Sequence, residues 1–311
     1  MRKNENITIA KEETDRKNII EGAFKTIVHD RNVLAFIIKN TVDECKDVDL
    51  EEIREGIAHE KGSDLAKGRE QDIVVHPTRI ELDSSFDLTV EGTEISVIIN
   101  IEAQNNYRTS YPLENRATFY ASCVLASQKG NEMQNDRYEQ LRPVYSIWVL
   151  TNPPEELRNT MKTYSITETT EGSGGRIRSL INIVFLNIGY YDKGSYPAVD
   201  LFSILMGRFD GSCDAKEKLR ECFNLTVSDA VIGGAEKMKS LSEQSVDYGK
   251  EITLIRDAKV IVENIIRYAD GMGITAEDCM KMSYLTDDLR PYVEEELERR
   301  LEDRGKEPQH H

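Results

Sequence analysis

Near the middle of the chain, Glu102 and Gln104 are of a type and spacing that packing does not require. They close the stretch FDLTVEGTEISVIINIEAQ, residues 86–104, whose alternation and β-branched content predict two strands joined at Glu91-Gly92-Thr93. Residues two apart on a strand share a face, so Glu102 and Gln104 project together while Ile101 and Ala103 point to the other side. Val97-Ile98-Ile99 is apolar on both faces, which suits a central strand covered on both sides. A carboxylate and an amide at the end of such a strand bind or orient polar species rather than fill a core. Asp87, on the partner strand, is a second acid that can face the same way. A tight turn about Gly92-Thr93 pairs Asp87 with Ile98 and sets Asp83 opposite Glu102. Four strand residues span about 13 Å, so Asp87 reaches Glu102 only through a wider loop or a bulge. Both acids stay in view.

The arrangement Asp87…Glu102-x-Gln104 resembles the core of the PD-(D/E)XK nuclease superfamily, and within it the transposase-like branch of recombination-promoting nucleases. There an acid on one strand is followed by an acid-x-Lys, or in this branch commonly acid-x-Gln, on the next. The flanks extend the resemblance to roughly residues 15–190. Glu21-Gly22-Ala23-Phe24-Lys25 is similar to the family's opening D-x-x-F-K, with Glu in place of Asp. Arg116, Tyr120 and Gln128 stand where the family has Arg, Tyr and Gln on the helix after its E-x-Q strand. Tyr138, Leu141, Pro143, Val144, Tyr145 and Ile147 match its Y-x-x-L-x-P-V-x-x-I element.

The resemblance implies an α/β fold with a mixed central sheet flanked by helices. It implies a DNA endonuclease of mobile-element type that uses magnesium or manganese to hydrolyse phosphodiesters. Asp87, Glu102 and Gln104 would be catalytic, and Asp87, Glu102 and Glu21 would hold the metal. Arg116 and Tyr120 would contact substrate. Gln104 stands where many superfamily members have Lys. An amide can orient water but carries no positive charge and takes no proton at neutral pH.

The elements that must position these groups follow from periodicity. Helices are expected at 15–28, 32–44, 49–58 (capped by Asp49) and 113–128, where Pro112 suits the start. Strands are expected at 74–82, 144–150, 160–169 and 180–188, with a Gly-Ser-Gly-Gly turn at 172–175. Beyond Tyr191 the chain reads as helices at 198–208, 213–223, 226–246, 250–270 and 275–304. We therefore expect a nuclease-like domain over 1–192 and a helical C-terminal extension over 193–311, the latter suited to a protein partner or self-association. Glu294-Glu295-Glu296 falls on successive helical positions, which spread around the axis and make a solvated face rather than a metal cluster.

The chain has 311 residues, enough for a full core, with 39% hydrophobic and 31% charged residues. No run approaches the ~18 apolar residues of a membrane span, and the first residues are too polar for a signal peptide. Five scattered cysteines without metal-type spacing point to reduced thiols in a cytoplasm. The histidines lack H-x-x-H or H-E-x-x-H spacing, no G-x-S-x-G elbow is present, and no strand–Gly-rich–helix unit supports nucleotide binding. A net charge of −16 works against tight, sequence-independent DNA binding by the chain alone. The acidic surface and helical C-terminal region also fit a different class, a catalytically silent nuclease fold that acts as a protein-interaction scaffold.

Overall fold

The computed structural model describes residues 18–305, apart from 70–71, 76–77, 106, 108, 130–131, 134–135, 167–178, 194–195, 211–212, 284 and 287. The glycine turn at 172–175 and residues 309–311 lie outside the described residues. The chain divides into two compact units, Met1–Leu241 and Ser242–His311.

In the first unit, helix α1 (18–28) leads to α2 (Arg31–Thr41) and α3 (Leu50–Gly56). Asp30 caps α2 by accepting from the backbone N–H groups of Asn32 and Val33, and Asp49 caps α3 through Glu51. The strand expected at 74–82 is instead a small antiparallel pair, β1 (Asp72–Val75) and β2 (Thr78–Glu81). Pro lacks the N–H that an uninterrupted central strand needs, and Pro77 falls between the two.

The main sheet follows: β3 (Ser84–Thr89), β4 (Ser96–Gln104), β5 (Val144–Leu150), β6 (Thr160–Ser165) and β7 (Ile181–Asn187), in the order β3-β4-β5-β7-β6. The hairpin β3–β4 is antiparallel, β4, β5 and β7 run parallel, and β6 pairs antiparallel with β7. Helix α4 (Leu113–Ser127) makes the crossover from β4 to β5. Both faces of the sheet are covered, which explains why its central strands are apolar throughout. Val97, Ile99 and Ile101 of β4 join Tyr145, Ile147 and Val149 of β5 in a core that includes Phe24, Ile27 and Leu34 from α1 and α2. Ile98, Trp148, Leu150 and Phe185 face the other way, against Ala117, Ala121 and Val124 of α4.

Helices α5 (Pro197–Leu205) and α6 (Ala215–Phe223) add Val199, Leu201, Phe202 and Leu219 to the first of these cores. The first compact unit therefore runs on past the boundary expected at 192. The physical reason is that α5 is apolar nearly all round and is buried as part of that core. The two helices expected at 226–246 and 250–270 form one, α7 (Asp229–Met272), since no proline interrupts them. A Cβ added at Gly234 would come 3.0 Å from the carbonyl oxygen of Ala23, so that glycine permits close approach to α1.

In the second unit, Ala258, Val262 and Ile265 of α7 pack with Leu285 and with Val293 and Leu297 of α9 (Arg290–Gly305), and α8 (Ala276–Met282) lies between them in sequence. Glu294 and Glu295 are exposed as expected, but Glu296 turns inward, where it is buried and ion-paired with Arg299 at 2.5 Å and Arg300 at 3.1 Å, so the solvated face takes in only two of the three acids. Among the described residues no helix is long and apolar enough to cross a membrane.

Candidate functional site

The hairpin register places the polar groups. Ser84 pairs with Ile101, so Asp83 lies beside Glu102 at the start of β3, whereas Asp87 pairs with Ile98. No bulge brings Asp87 back. Asp83 and Glu102 interlock through main chain: the Asp83 N–H donates to Glu102 Oε1 at 3.2 Å, and the Ala103 N–H donates to Asp83 Oδ2 at 2.8 Å. Glu102 is 2% exposed. Two carboxylates thus meet at the carboxyl end of a central parallel strand, the edge where open α/β sheets place their ligands.

Beneath them runs a polar thread on the α4 side of the sheet. Asn100 donates to Ser146 Oγ at 3.3 Å, and the Trp148 indole N–H donates to the same oxygen at 2.9 Å. Burial, then repulsion from Asp83, pushes the Glu102 carboxyl up to about 8 against the opposing Asp83 N–H, Asn100 amide and Arg116 charge. Burial raises Asp83 as well, opposed by its bond from Ala103; the charge of Glu21 adds to the rise, and those of Lys25 and Arg116 oppose it.

Arg116 comes from the first turns of α4. Its Nη1 donates to Gln104 Oε1 at 3.3 Å and its Nη2 to the Tyr120 hydroxyl at 3.2 Å. The guanidinium lies over the Tyr120 ring at 4.9 Å and the Trp148 ring at 5.2 Å. The spacing of four that predicts a shared face for Arg116 and Tyr120 is thus realised, and both reach the end of β4. Glu21, half-buried on α1, lies within electrostatic range of Asp83.

Asp87, expected as metal ligand and catalytic acid, is held elsewhere. Arg69 donates to it at 2.5 Å and Arg142 at 2.7 Å, and both arginines also bind Glu132. Gln128 is fully buried and tethers the Arg142 main chain through two bonds of 2.9 Å. Two acids and two arginines close on each other, and a residue so engaged is a structural ion pair. The register of β3–β4, set by a tight turn, is the cause.

The cluster brought together is therefore Asp83, Glu102, Gln104, Arg116 and Tyr120, with the charges of Glu21 and Lys25 on α1 within electrostatic range of Asp83. Asp83 was legible only from register arithmetic. Lys25 closes the Glu21–Lys25 segment, and its spacing of four from Glu21 marks a common helix face. Among the described residues no group of three or more His, Cys, Asp or Glu side chains is placed to hold a metal. Two carboxylates remain a donor set that suits magnesium, which keeps several waters and takes one or two protein carboxylates. No protein-family model, curated protein or solved structure matches this chain.

Proposed function

We propose that the chain is a metal-dependent phosphodiesterase acting on DNA, with a core of PD-(D/E)XK type. The observation that carries this conclusion is the interlocked Asp83–Glu102 pair, desolvated at the carboxyl end of β4 with Arg116 beside it. Two carboxyls buried together cannot both ionise cheaply, so burial and Asp83 push the Glu102 carboxyl up to about 8, and a bound cation would favour release of its proton; structural packing gains nothing from the pair. The element order supports the same conclusion: α1, the β3–β4 hairpin, α4 crossing over, then β5 parallel to β4.

Asp83 and Glu102 would hold a magnesium or manganese ion, with Glu21 nearby to bind its waters. When bound, such an ion lowers the pKa of water and stabilises charge on a phosphoryl oxygen. Gln104 orients the attacking water through its amide. The water oxygen bonds to phosphorus, the bond from phosphorus to the leaving sugar oxygen breaks, and the water proton passes to solvent as that oxygen is protonated. Arg116, locked by Tyr120 and stacked on Trp148, presents its remaining N–H groups to a non-bridging phosphate oxygen. The acidic net charge calls for a local cation-lined approach rather than a basic surface.

The purified chain should nick plasmid DNA with magnesium or manganese and stop on chelation. Glu102→Gln, which keeps shape and removes the ligand charge, should abolish the cut. Equal activity in wild type and variant would show a contaminating nuclease. Absence of cleavage in both would favour the protein-interaction scaffold.

A further inference from the structure

Away from the Asp83–Glu102 pair, three cations gather where the chain leaves β7. Residues 188–191 are held there between two turns, and each turn brings an arginine. The turn that enters β6 has Asn159 in a left-handed backbone, φ 58°, with its N–H donating to the Asn187 carbonyl at 3.0 Å. That bond fixes Arg158, the residue before it. A Cβ added at Gly189 would come 3.0 Å from the Arg158 Cβ, so this glycine admits the arginine against the strand end. On the other side α5 is closed by Gly207, φ 67°, and the Arg208 N–H donates back to the Ser203 carbonyl at 2.8 Å. Arg208 is thereby turned onto the same segment. Its Nη1 donates to the Ile188 carbonyl at 3.3 Å, and its own carbonyl accepts from the Tyr191 N–H at 2.7 Å. Lys239 of α7 lies across this turn, its Nζ 2.9 Å from where a Cβ on Gly207 would stand.

Arg208 is half-buried, while Arg158 and Lys239 are exposed. Among the described residues none of the three is ion-paired with a carboxylate. Glu155 and Glu156 precede Arg158 but stay exposed, and Asp210 is taken by Lys218 at 3.6 Å. Burial, then the charge of Arg158, holds the Arg208 guanidinium below its ordinary range. A desolvated cation facing a second one costs free energy that a bound anion would offset. In a chain of net charge −16 such a gathering is not a by-product of composition.

We propose that Arg158, Arg208 and Lys239 form a phosphate-binding site at the carboxyl end of β7, separate from the Asp83–Glu102 pair. Carboxyl ends of parallel strands are where open α/β sheets take their ligands. Strand β5 stands between β4 and β7, which sets the site at least ~10 Å from Glu102. Arg208 keeps further N–H groups beyond the one spent on Ile188, and a guanidinium fork fits two oxygens of a phosphate. Two forks and an ammonium suit a tetrahedral dianion better than a carboxylate, which one fork would satisfy. The phosphate group has two possible sources, a nucleic-acid backbone and a free phosphate anion.

Binding by full-length proteins in chelator, where no probe is cut, tests the site. The set is wild type, Arg158→Ala, Arg208→Lys, Lys239→Ala, and a control with Lys61→Ala and Lys67→Ala, which removes two exposed lysines elsewhere in the first unit. Inorganic phosphate is titrated by calorimetry, and a DNA duplex without terminal phosphates by fluorescence anisotropy across a salt series. Loss of the charge in Arg158→Ala, or of the fork in Arg208→Lys, should weaken binding by about 10-fold, with a smaller loss in Lys239→Ala and none in the control. A weakened duplex, with a salt dependence lower by about one phosphate contact in Arg158→Ala, assigns the site to a nucleic-acid backbone. Weakened phosphate binding with unchanged duplex binding assigns it to a free anion. Variants that bind both probes as wild type does overturn the site. So does a control that weakens as much as they do, or a wild type that binds neither probe. None of these readings involves cleavage, so the site stands or falls apart from the cutting proposed above.

Discussion

Replacing Glu102 by Gln should make the metal-free protein more stable near neutral pH, although Glu102 is buried and hydrogen-bonded. The folded carboxyl is pushed from its ordinary 4.5 up to about 8 by burial and by Asp83. A raised carboxyl pKa means that the folded state holds its proton more tightly than the unfolded chain does. Stability is then fullest below the unfolded value and falls as pH rises toward the folded one. Neutrality lies roughly 2.5 pH units above the ordinary value, and at about 1.4 kcal/mol for each the cost is at least ~3 kcal/mol. Gln cannot ionise. Its carbonyl can still accept from the Asp83 N–H, and its amide can donate toward the Asp83 carboxylate. For a unit of this size ~3 kcal/mol corresponds to a melting-temperature rise of about 6–12 °C. Chelator-treated wild type and Glu102→Gln, melted across acid to mildly alkaline buffers, should converge near pH ~5 and separate progressively above it. Parallel curves, or a variant less stable throughout, would refute the burial and repulsion argued for the pair.

Magnesium or manganese should reverse that order. A cation bound to the folded state raises the wild-type melting temperature as its concentration passes the dissociation constant, and Glu102→Gln should show no such rise in calorimetric melts. Asp87→Ala should lower stability by about 1–2 kcal/mol, because it leaves Arg69 and Arg142 sharing Glu132 alone. Urea unfolding would register that cost, while plasmid nicking should not change. Gln104→Lys in the otherwise wild-type chain should keep or raise the nicking rate, since it adds positive charge beside two acids; a collapse of activity would show that the amide itself is required.

Much of this arrangement was legible because strand and helix periods are local properties. Val144–Leu150 is a strand as expected, since its apolar run is covered on both faces. Glu102, Gln104, Arg116 and Tyr120 converge because spacings of two and four fix which side chains share a face. The partner acid was harder, since it depends on one residue of register across a turn. Likeness of pattern pointed to Asp87, while counting across Gly92-Thr93 pointed to Asp83. Asp87 answers to Arg69 and Arg142, which come from loops far away in sequence and whose approach no local period reveals. The boundary of the first unit was hidden for a similar reason. Nothing in α5 or α6 as isolated helices tells that Phe202 stacks near Phe24 at 6.4 Å.

The central claim is that Asp83 and Glu102, and not Asp87, form the metal-dependent cutting site. Plasmid nicking in manganese by wild type, Asp83→Asn and Asp87→Asn at matched concentration tests it most directly. The account predicts that wild type and Asp87→Asn nick at comparable rates and that Asp83→Asn does not nick. Loss of nicking in Asp87→Asn with retention in Asp83→Asn would contradict it.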